Sequence, residues 1–109
     1  MFDYAAHVLK VIDGDTIEVV IELGFGLVLK KRLRLLRVNT SELKSDDPAE
    51  KSKAVKAKDA LTKLLLNKEV KIHSEKFDSF GRYLAEVWID DLNVNDWLLQ
   101  NDLAKPYQK

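Results

Sequence analysis

The sequence contains no cysteine, which excludes disulfide bonds, thiolate metal sites and cysteine nucleophiles. It also lacks an apolar stretch close to the roughly 20 residues that a membrane-spanning helix needs. The first ten residues do not show the charged and apolar regions of a signal peptide. These absences predict a soluble cytoplasmic protein without membrane contact, and they leave secretion from a longer precursor open.

A surplus of one charge sign is absent as well, since 18 basic and 18 acidic residues give zero net charge. The overall charge therefore predicts no nucleic-acid partner, and a polyanion binder with this balance has to concentrate its positive charge locally. Residues 30–37 carry five bases and no acid, whereas residues 83–104 carry five acids and no base. We expect a basic side and an acidic side, although such charge runs are usually only solvated surface.

The length of 109 residues, with 46% apolar and 33% charged residues, predicts one folded domain over residues 1–109. Apolar alternation in the first half predicts three strands, at residues 7–12, 17–23 and 27–38. On the third strand Leu27, Leu29, Leu33 and Leu35 share one face, opposite Arg32 and Arg34. We expect a monomer, because no long apolar stripe is left over once the core is built.

The second half predicts a helix, two strands and a shorter helix. Asp47, Pro48 and Glu50 form a capping pattern before apolar residues at helical spacing, and Asn67 is the predicted stop. Strands follow at residues 70–74 and 83–89, and Asn93 is the predicted cap of a helix over residues 94–101. Trp88 and Trp97 are expected in the core. This order predicts a mainly β (α+β) fold, a five-stranded OB-fold-type Greek-key barrel with two packed helices.

Three short segments could carry chemistry, and each also has a structural interpretation. The Asp13-Gly14-Asp15-Thr16 segment is a typical hairpin turn, but its second carboxylate could bind a hard cation. Residues 34–42 could be a basic strand running into a polar loop, or they could combine a phosphate-binding Arg34, oxygen ligands and a general base. Residues 78–82 could be a turn before a strand, or they could supply a second arginine to the same phosphate.

Together, the order and spacing of these segments resemble the thermonuclease (staphylococcal nuclease-like) family from about Val8 to about Tyr107. The resemblance implies an OB-type barrel that hydrolyses DNA or RNA with calcium, with the 5′ oxygen leaving and the phosphate staying on the 3′ side. The implied residues are Asp15, Asn39 and Thr40 for the metal, Arg34 and Arg82 for the phosphate, and Glu42 as the general base. Asp13 would support the metal site, and Asp78, Tyr107 and Lys44 are the candidate substrate-binding residues.

The sequence departs from the family pattern at two of these positions. Asn39 stands where the family usually has a second calcium-binding aspartate, and Ser41 stands where it usually has proline. An amide oxygen can still coordinate calcium, but one negative charge is lost, so weaker metal binding is expected. Two alternatives to an active nuclease follow. One is a barrel of this family that only binds nucleic acid or protein, and the other is an unrelated OB barrel with a coincidental match.

Overall fold

The computed structural model describes residues 2–41, 43–77 and 83–106. Within these ranges the chain forms eight strands and two helices, which are β1 (Phe2–Asp13), β2 (Thr16–Gly24), β3 (Leu27–Leu35), β4 (Val38–Asn39), α1 (Pro48–Leu65), β5 (Glu69–Phe77), β6 (Tyr83–Ile89), β7 (Leu92–Asn93), α2 (Val94–Gln100) and β8 (Lys105–Pro106). No helix in this part of the chain is long and apolar enough to cross a membrane.

Five of the strands close into a barrel. Strands β1, β2 and β3 form an antiparallel meander, and β1 also pairs with β5, which in turn pairs with β6. A parallel pairing between β3 and β6 completes the ring. Since α1 lies between the third and fourth barrel strands in the sequence, this arrangement confirms the predicted OB-type barrel with two helices.

The core follows from the alternation along the barrel strands, because every second side chain of a strand points inward. Ile17, Val19 and Ile21 of β2 are buried in this way, as are Leu33 and Leu35 of β3. Helix α1 covers the barrel with a face of small and branched residues, namely Ala54, Ala57, Leu61 and Leu65. The inward faces of β2 and β3 were therefore correctly predicted where these strands form the barrel.

The predicted third strand begins at Leu27 as expected, but it ends earlier than predicted, at Leu35. The turn at residues 36 and 37 interrupts it, because Arg37 adopts a φ of 67°, and residues 38–39 form the separate strand β4. At the other end Leu27 and Leu29 do not reach the core, because they lie in the part of the β2–β3 hairpin that extends beyond β6. An exposed apolar segment is thus left over, contrary to the expectation from sequence.

Two further boundaries and one core residue differ clearly from the predictions. Strand β1 begins at Phe2 because residues 2–7 pair with β5. Strand β5 continues to Phe77, into the predicted loop at residues 75–82. Trp88 lies on the outer face of β6, since its neighbour Val87 points into the core. Trp97, by contrast, packs partly buried against the core as predicted.

The helix caps follow the predicted residues with one difference. Asp47 caps α1, since its carboxylate accepts a hydrogen bond from the Ala49 N–H at 3.0 Å. Glu50 does not complete the capping box, because its Oε2 accepts a hydrogen bond from the Ser41 hydroxyl at 2.8 Å. Asn67 follows the end of α1 with a φ of 61°, a conformation that stops helices.

Helix α2 is fixed to the barrel by a buried amide that the sequence did not indicate. Asn93 caps this helix as predicted, and its side chain accepts the Asp96 N–H at 3.1 Å. Asn95, which is fully buried, accepts the Val87 N–H at 3.0 Å. Its amide nitrogen donates to the carbonyls of Leu36 at 2.8 Å and Ala85 at 3.1 Å. One side chain therefore joins α2, β6 and the turn after β3.

We expect Asn95→Ala to lower the free energy of unfolding by about 2–3 kcal/mol, because it leaves one backbone N–H and two carbonyls buried without these partners. Urea denaturation monitored by tryptophan fluorescence measures the change. Asn101→Ala is the matched control, since the exposed Asn101 amide makes one hydrogen bond, to the Trp97 carbonyl. Equal stabilities of the two variants would show that Asn95 does not anchor α2.

Candidate active site

The turn between β1 and β2 places two carboxylates side by side. Asp13 pairs with Thr16 across the hairpin, so Gly14 and Asp15 form a two-residue turn. The Asp15 N–H donates to Asp13 Oδ1 at 3.0 Å, which fixes the turn locally. The segment is therefore the predicted hairpin turn, and it directs the Asp15 carboxylate to β3 and to the residue after β4. Cation binding at this carboxylate stays a prediction.

Gly14 is required in this turn for space. A Cβ built on Gly14 would lie 2.8 Å from the Cβ of Ala57 and 2.8 Å from the Cγ2 of Thr40. Its φ is not in the left-handed region, so conformational freedom is not the reason for glycine here. The close approach brings α1, the turn and the residue after β4 together at one end of the barrel.

The Asp15 carboxylate is the centre of the site. Only 11% of this side chain is exposed, so its charge needs partners. Oδ1 accepts a hydrogen bond from the Thr16 hydroxyl at 3.1 Å, and Oδ2 accepts the Thr40 N–H at 3.2 Å. Arg34 completes the set, with its Nη2 3.4 Å from Oδ2. Three structural elements thus converge on one carboxylate.

Arg34 is held in a fixed position by the same cluster. Its side chain is only 12% exposed, and its Nη1 donates to the Leu35 carbonyl at 3.0 Å. Nη2 also donates to Asn39 Oδ1 at 3.4 Å. The Leu35 N–H donates to the Asp15 carbonyl at 2.8 Å, which ties the end of β3 to the turn. A guanidinium restrained in this way can present its donors in one orientation.

The two carboxylates of the turn differ in acidity. Burial raises the pKa of Asp13 to about 6, and the neighbouring Asp15 contributes to the rise. Burial acts in the same direction on Asp15, but the hydrogen bond with Asp13, the charge of Arg34 and the Thr40 N–H together hold the pKa of Asp15 below its ordinary value. Asp15 is therefore the more acidic carboxyl group of the pair, and Asp13 is the one that takes up a proton first as the pH falls.

The predicted site residues divide into three groups. The structure brings four of them together, namely Asp15, Arg34, Asn39 and Thr40. Lys44 is exposed, in the segment between β4 and α1. The remaining four, Glu42, Asp78, Arg82 and Tyr107, lie outside the described residues, so their predicted roles stay predictions.

Two further residues of the site had no assigned role in the sequence. Thr16 was part of the noted turn, and a hydroxyl directly after a carboxylate is a weak signal of the hydrogen bond that it donates to Asp15. Lys105 lies opposite Asn39, because β8 pairs with β4. This pairing joins residues 66 positions apart in the sequence, and local pattern does not indicate it.

The available metal ligands are all oxygen atoms. Among the described residues no three histidine, aspartate or glutamate side chains are grouped as a metal site. The predicted set of one carboxylate, one amide and one backbone oxygen needs no such group. Carboxylate, amide and carbonyl oxygens are the ligands that calcium prefers, and a cation beside Asp15 would relieve the repulsion between the two acids of the turn. The donor set therefore fits calcium. Of the three predicted ligands, only Asp15 carries a negative charge.

The expected separation into a basic and an acidic side is weakened by ion pairs. Arg37 binds both Glu86 and Asp96 of the acidic segment, each at 2.9 Å. Lys30 and Arg32 both lie near Glu18, at 3.2 and 3.6 Å. Much of the positive charge at residues 30–37 is thus balanced locally.

The fold and site define an OB-type barrel that carries a buried carboxylate–guanidinium cluster where β1, β3 and β4 meet. The chain belongs to the staphylococcal nuclease homologue family, whose model matches residues 32–109. This finding confirms the family and makes a coincidental OB barrel untenable. It also supports a nuclease-like function.

Individual relatives agree with this assignment. The chain is 33% identical over 76% of its length to a probable staphylococcal-like nuclease of rice (Oryza sativa subsp. japonica), and it spans 21% of that protein. It is 34% identical over 95% of its length to an uncharacterized protein of Methanocaldococcus jannaschii, spanning 59% of it. It is 29% identical over 98% of its length to an uncharacterized endonuclease of Escherichia coli, spanning 63% of it. The chain is thus less than two thirds as long as each of these relatives.

We expect Asp13→Asn to be more stable than the unmodified protein at pH 7 in the presence of a chelator. The raised pKa means that the folded protein binds a proton at Asp13 more tightly than the unfolded chain does. Stability is therefore lost as the pH rises from about 4 to about 6. Asparagine removes this titration and keeps an oxygen that can accept the Asp15 N–H.

Urea midpoints at pH 4, 5, 6 and 7 measure the difference, which should shrink toward pH 4. Asp59→Asn, at an exposed position of α1, is the matched control. A lower midpoint for Asp13→Asn than for the unmodified protein at pH 7 would contradict the assignment of an unfavourable carboxylate pair.

Proposed function

We propose that this chain is a calcium-dependent nuclease that hydrolyses phosphodiester bonds of DNA or RNA. The observation that carries the proposal is the Asp15–Arg34 pair, with 3.4 Å between Oδ2 and Nη2, in a family of nuclease homologues. A phosphodiester is anionic and repels nucleophiles, so a hydrolytic site has to neutralise charge and position water. A restrained guanidinium next to an oxygen-rich cation site supplies both requirements.

Arg34 is the proposed phosphate ligand. Its two terminal nitrogens face the Leu35 carbonyl, Asn39 and Asp15, so they point to the rim where β3 ends and β4 begins. A phosphate oxygen entering there can take the place of a weak contact, since both Nη2 distances are 3.4 Å. Arginine suits this role because its planar donors match two oxygens of one phosphate.

Asp15, Asn39 and Thr40 are the proposed calcium ligands, with Thr40 contributing its backbone oxygen and Asp13 supporting the site. Oδ2 of Asp15 already contacts the Thr40 N–H and Arg34. Oδ1 accepts the Thr16 hydroxyl, and a carboxylate oxygen offers two acceptor positions, so Oδ1 is the atom proposed to contact calcium. Bound calcium would supply positive charge next to the phosphate. The amide of Asn39 contributes an oxygen without a charge, so millimolar rather than micromolar calcium is expected to be needed.

The remaining roles come from the family resemblance. Glu42 takes a proton from the attacking water, whose oxygen forms a bond to phosphorus. The bond from phosphorus to the 5′ oxygen breaks, this oxygen takes a proton from solvent, and the phosphate remains on the 3′ side. Arg82 stabilises the additional negative charge of the transition state, while Asp78, Tyr107 and Lys44 contact the substrate.

The alternative is a barrel that binds nucleic acid or protein without cutting it. Asn39 favours this alternative, because an amide stands where the family usually has a carboxylate. Arg34 already has protein partners on Asp15 and Asn39, which could also be a purely structural arrangement. We favour the nuclease because Asp15, Arg34, Glu42 and Arg82 are all present in the sequence.

We expect the purified protein to degrade single-stranded DNA or RNA with millimolar calcium and not with excess chelator. Arg34→Ala and Glu42→Gln should each reduce the rate at least about 100-fold, the usual effect of losing one group that acts on the transition state. Arg37→Ala is the matched control, because its guanidinium is bound to Glu86 and Asp96. Degradation of labelled oligonucleotides on denaturing gels is the measurement.

Intact substrate at millimolar calcium, with binding still detectable, would favour the binding module over the nuclease. Cleavage at an unchanged rate by either variant would remove that residue from the mechanism. Purified DNA and RNA substrates, each single-stranded and duplex, are compared in the same assay so that lack of cleavage is not a matter of substrate choice.

We expect Asn39→Asp to tighten calcium binding about tenfold, equivalent to about 1.4 kcal/mol, because it adds one negative charge to the ligand set. Titration calorimetry with calcium measures the affinity directly, independently of activity. Asn101→Asp adds the same charge at an exposed position after α2 and should leave the affinity unchanged. If both variants bind calcium equally, Asn39 is not a ligand.

A further inference from the structure

The outer part of β3 is a strand edge without a partner in the described chain. Strand β2 pairs with β3 along its whole length, but β6 pairs with it only through Leu33–Leu35. Residues 27–32 therefore have a neighbouring strand on one side only, within the ranges that the structure describes. The backbone N–H and C=O groups on the other side of such an edge can pair with another chain.

Both faces of this edge are apolar where it leaves the barrel. Leu27 and Val28 are consecutive, so they point to opposite faces, and their exposed fractions are 62% and 63%. Leu29 is 39% exposed, and Phe25 at the tip of the hairpin is fully exposed. Exposed apolar residues that are scattered singly need no explanation, but a contiguous group indicates an interaction surface.

Positive charge follows directly after the apolar residues. Lys30, Lys31 and Arg32 occupy the next three positions of the same edge. Glu18 is shared by Lys30 and Arg32, so one carboxylate faces two cations. The Nζ of Lys31 lies 5.9 Å from the centre of the Tyr83 ring. The edge thus changes along its length from apolar to basic, with a net positive end.

We propose that this edge binds an extended segment of a partner protein as an added antiparallel strand. The segment has acidic residues opposite Lys30, Lys31 and Arg32, followed by β-branched residues opposite Leu27, Val28 and Leu29. Backbone hydrogen bonds supply the pairing and the alternating side chains supply selectivity, as in other cases of strand addition. Antiparallel pairing is the more stable of the two directions. This inference does not rest on the proposed nuclease activity.

Other occupants fit this edge less well. A lipid bilayer would leave the free backbone groups of the edge without hydrogen-bond partners in hydrocarbon. Phosphates can accept backbone N–H groups, but nucleic acid would leave most carbonyls of the edge and the exposed leucine and valine side chains without partners. A second copy of the chain in two-fold antiparallel pairing brings no acid to the cations. Pairing centred between Leu29 and Lys30 places every apolar side chain opposite a cation, and pairing centred on Val28 places the three cations opposite residues 24–26, which are not acidic. An acidic and apolar polypeptide matches both halves of the edge.

The probe is a fluorescein-labelled peptide, Glu-Asp-Glu-Val-Thr-Val, and its binding to the full chain is measured by fluorescence anisotropy with a chelator present. We expect saturable binding with a Kd of about 100 μM or tighter at low salt, weakened at least about tenfold in 0.5 M salt. A peptide with lysine in place of the three acids should not bind.

Leu29→Lys and Leu27→Lys, at two exposed positions of the edge, should each weaken binding at least about tenfold, because added lysines protect strand edges. Val55→Lys on α1 is the matched control, since Val55 is 42% exposed and Leu29 39%. Urea midpoints close to that of the unmodified protein establish that the variants are folded.

Several outcomes would overturn the inference. These are no saturable binding up to about 1 mM, equal binding of the lysine peptide, or equal loss in Val55→Lys and Leu29→Lys. A dimer in light scattering that Leu29→Lys abolishes would assign the edge to a second copy. Binding of a 12-nucleotide oligothymidylate or of anionic vesicles that the same variant abolishes would assign it to nucleic acid or to lipid.

Discussion

The arrangement of the site depends on one buried carboxylate, whose negative charge has to be compensated by nearby groups. Asp15 lies in a shielded position with 11% of its side chain exposed, and an unpaired charge there would cost several kcal/mol. Its partners come from three places in the chain, namely Thr16 in β2, Arg34 in β3 and the Thr40 backbone after β4. The end of the β1–β2 hairpin is thereby linked to the end of β3 and to the start of the loop after β4. The carboxylate holds the start of that loop through the Thr40 N–H.

At the same end of the molecule, the absence of a side chain at Gly14 allows α1 and Thr40 to lie close to the β1–β2 turn. Because nothing separates its Cα from Ala57 and Thr40, α1 approaches the turn directly. The Ser41 hydroxyl then binds Glu50 at the start of α1. The loop after β4 is therefore attached at Thr40 to the barrel and at Ser41 to the helix. This dual attachment explains why Glu50, predicted to cap its own helix, instead contacts the loop that carries the candidate ligands.

Local sequence predicted the features that local physics controls. Alternating apolar residues indicated the barrel strands, and Asp13-Gly14 indicated the hairpin that presents Asp15. The errors have long-range causes. Residues 34–38 contain no glycine or proline, yet β3 ends at Leu35. The turn that follows contains Arg37, whose guanidinium binds carboxylates 49 and 59 residues away. Local sequence does not indicate the role of Asn95, because a polar residue in a short helix is normally exposed. Its buried position depends on backbone groups of β6 and of the turn after β3.

In the proposed nuclease the charge balance of the site links metal binding to phosphate binding. Arg34 and Asp15 neutralise each other when neither ligand is present. If a phosphate takes donors of Arg34, Asp15 loses part of its compensation, and a cation at Asp15 restores it. If a cation binds first, Asp15 attracts Arg34 less strongly, which favours a phosphate at Arg34. Each ligand therefore favours the other, and by linkage the effect is the same in both directions. A protein with zero net charge attracts a polyanion weakly at long range. In the proposed nuclease, the affinity for the polyanion then comes from this site, where Asp15 exchanges Arg34 for a cation and Arg34 exchanges Asp15 for a phosphate.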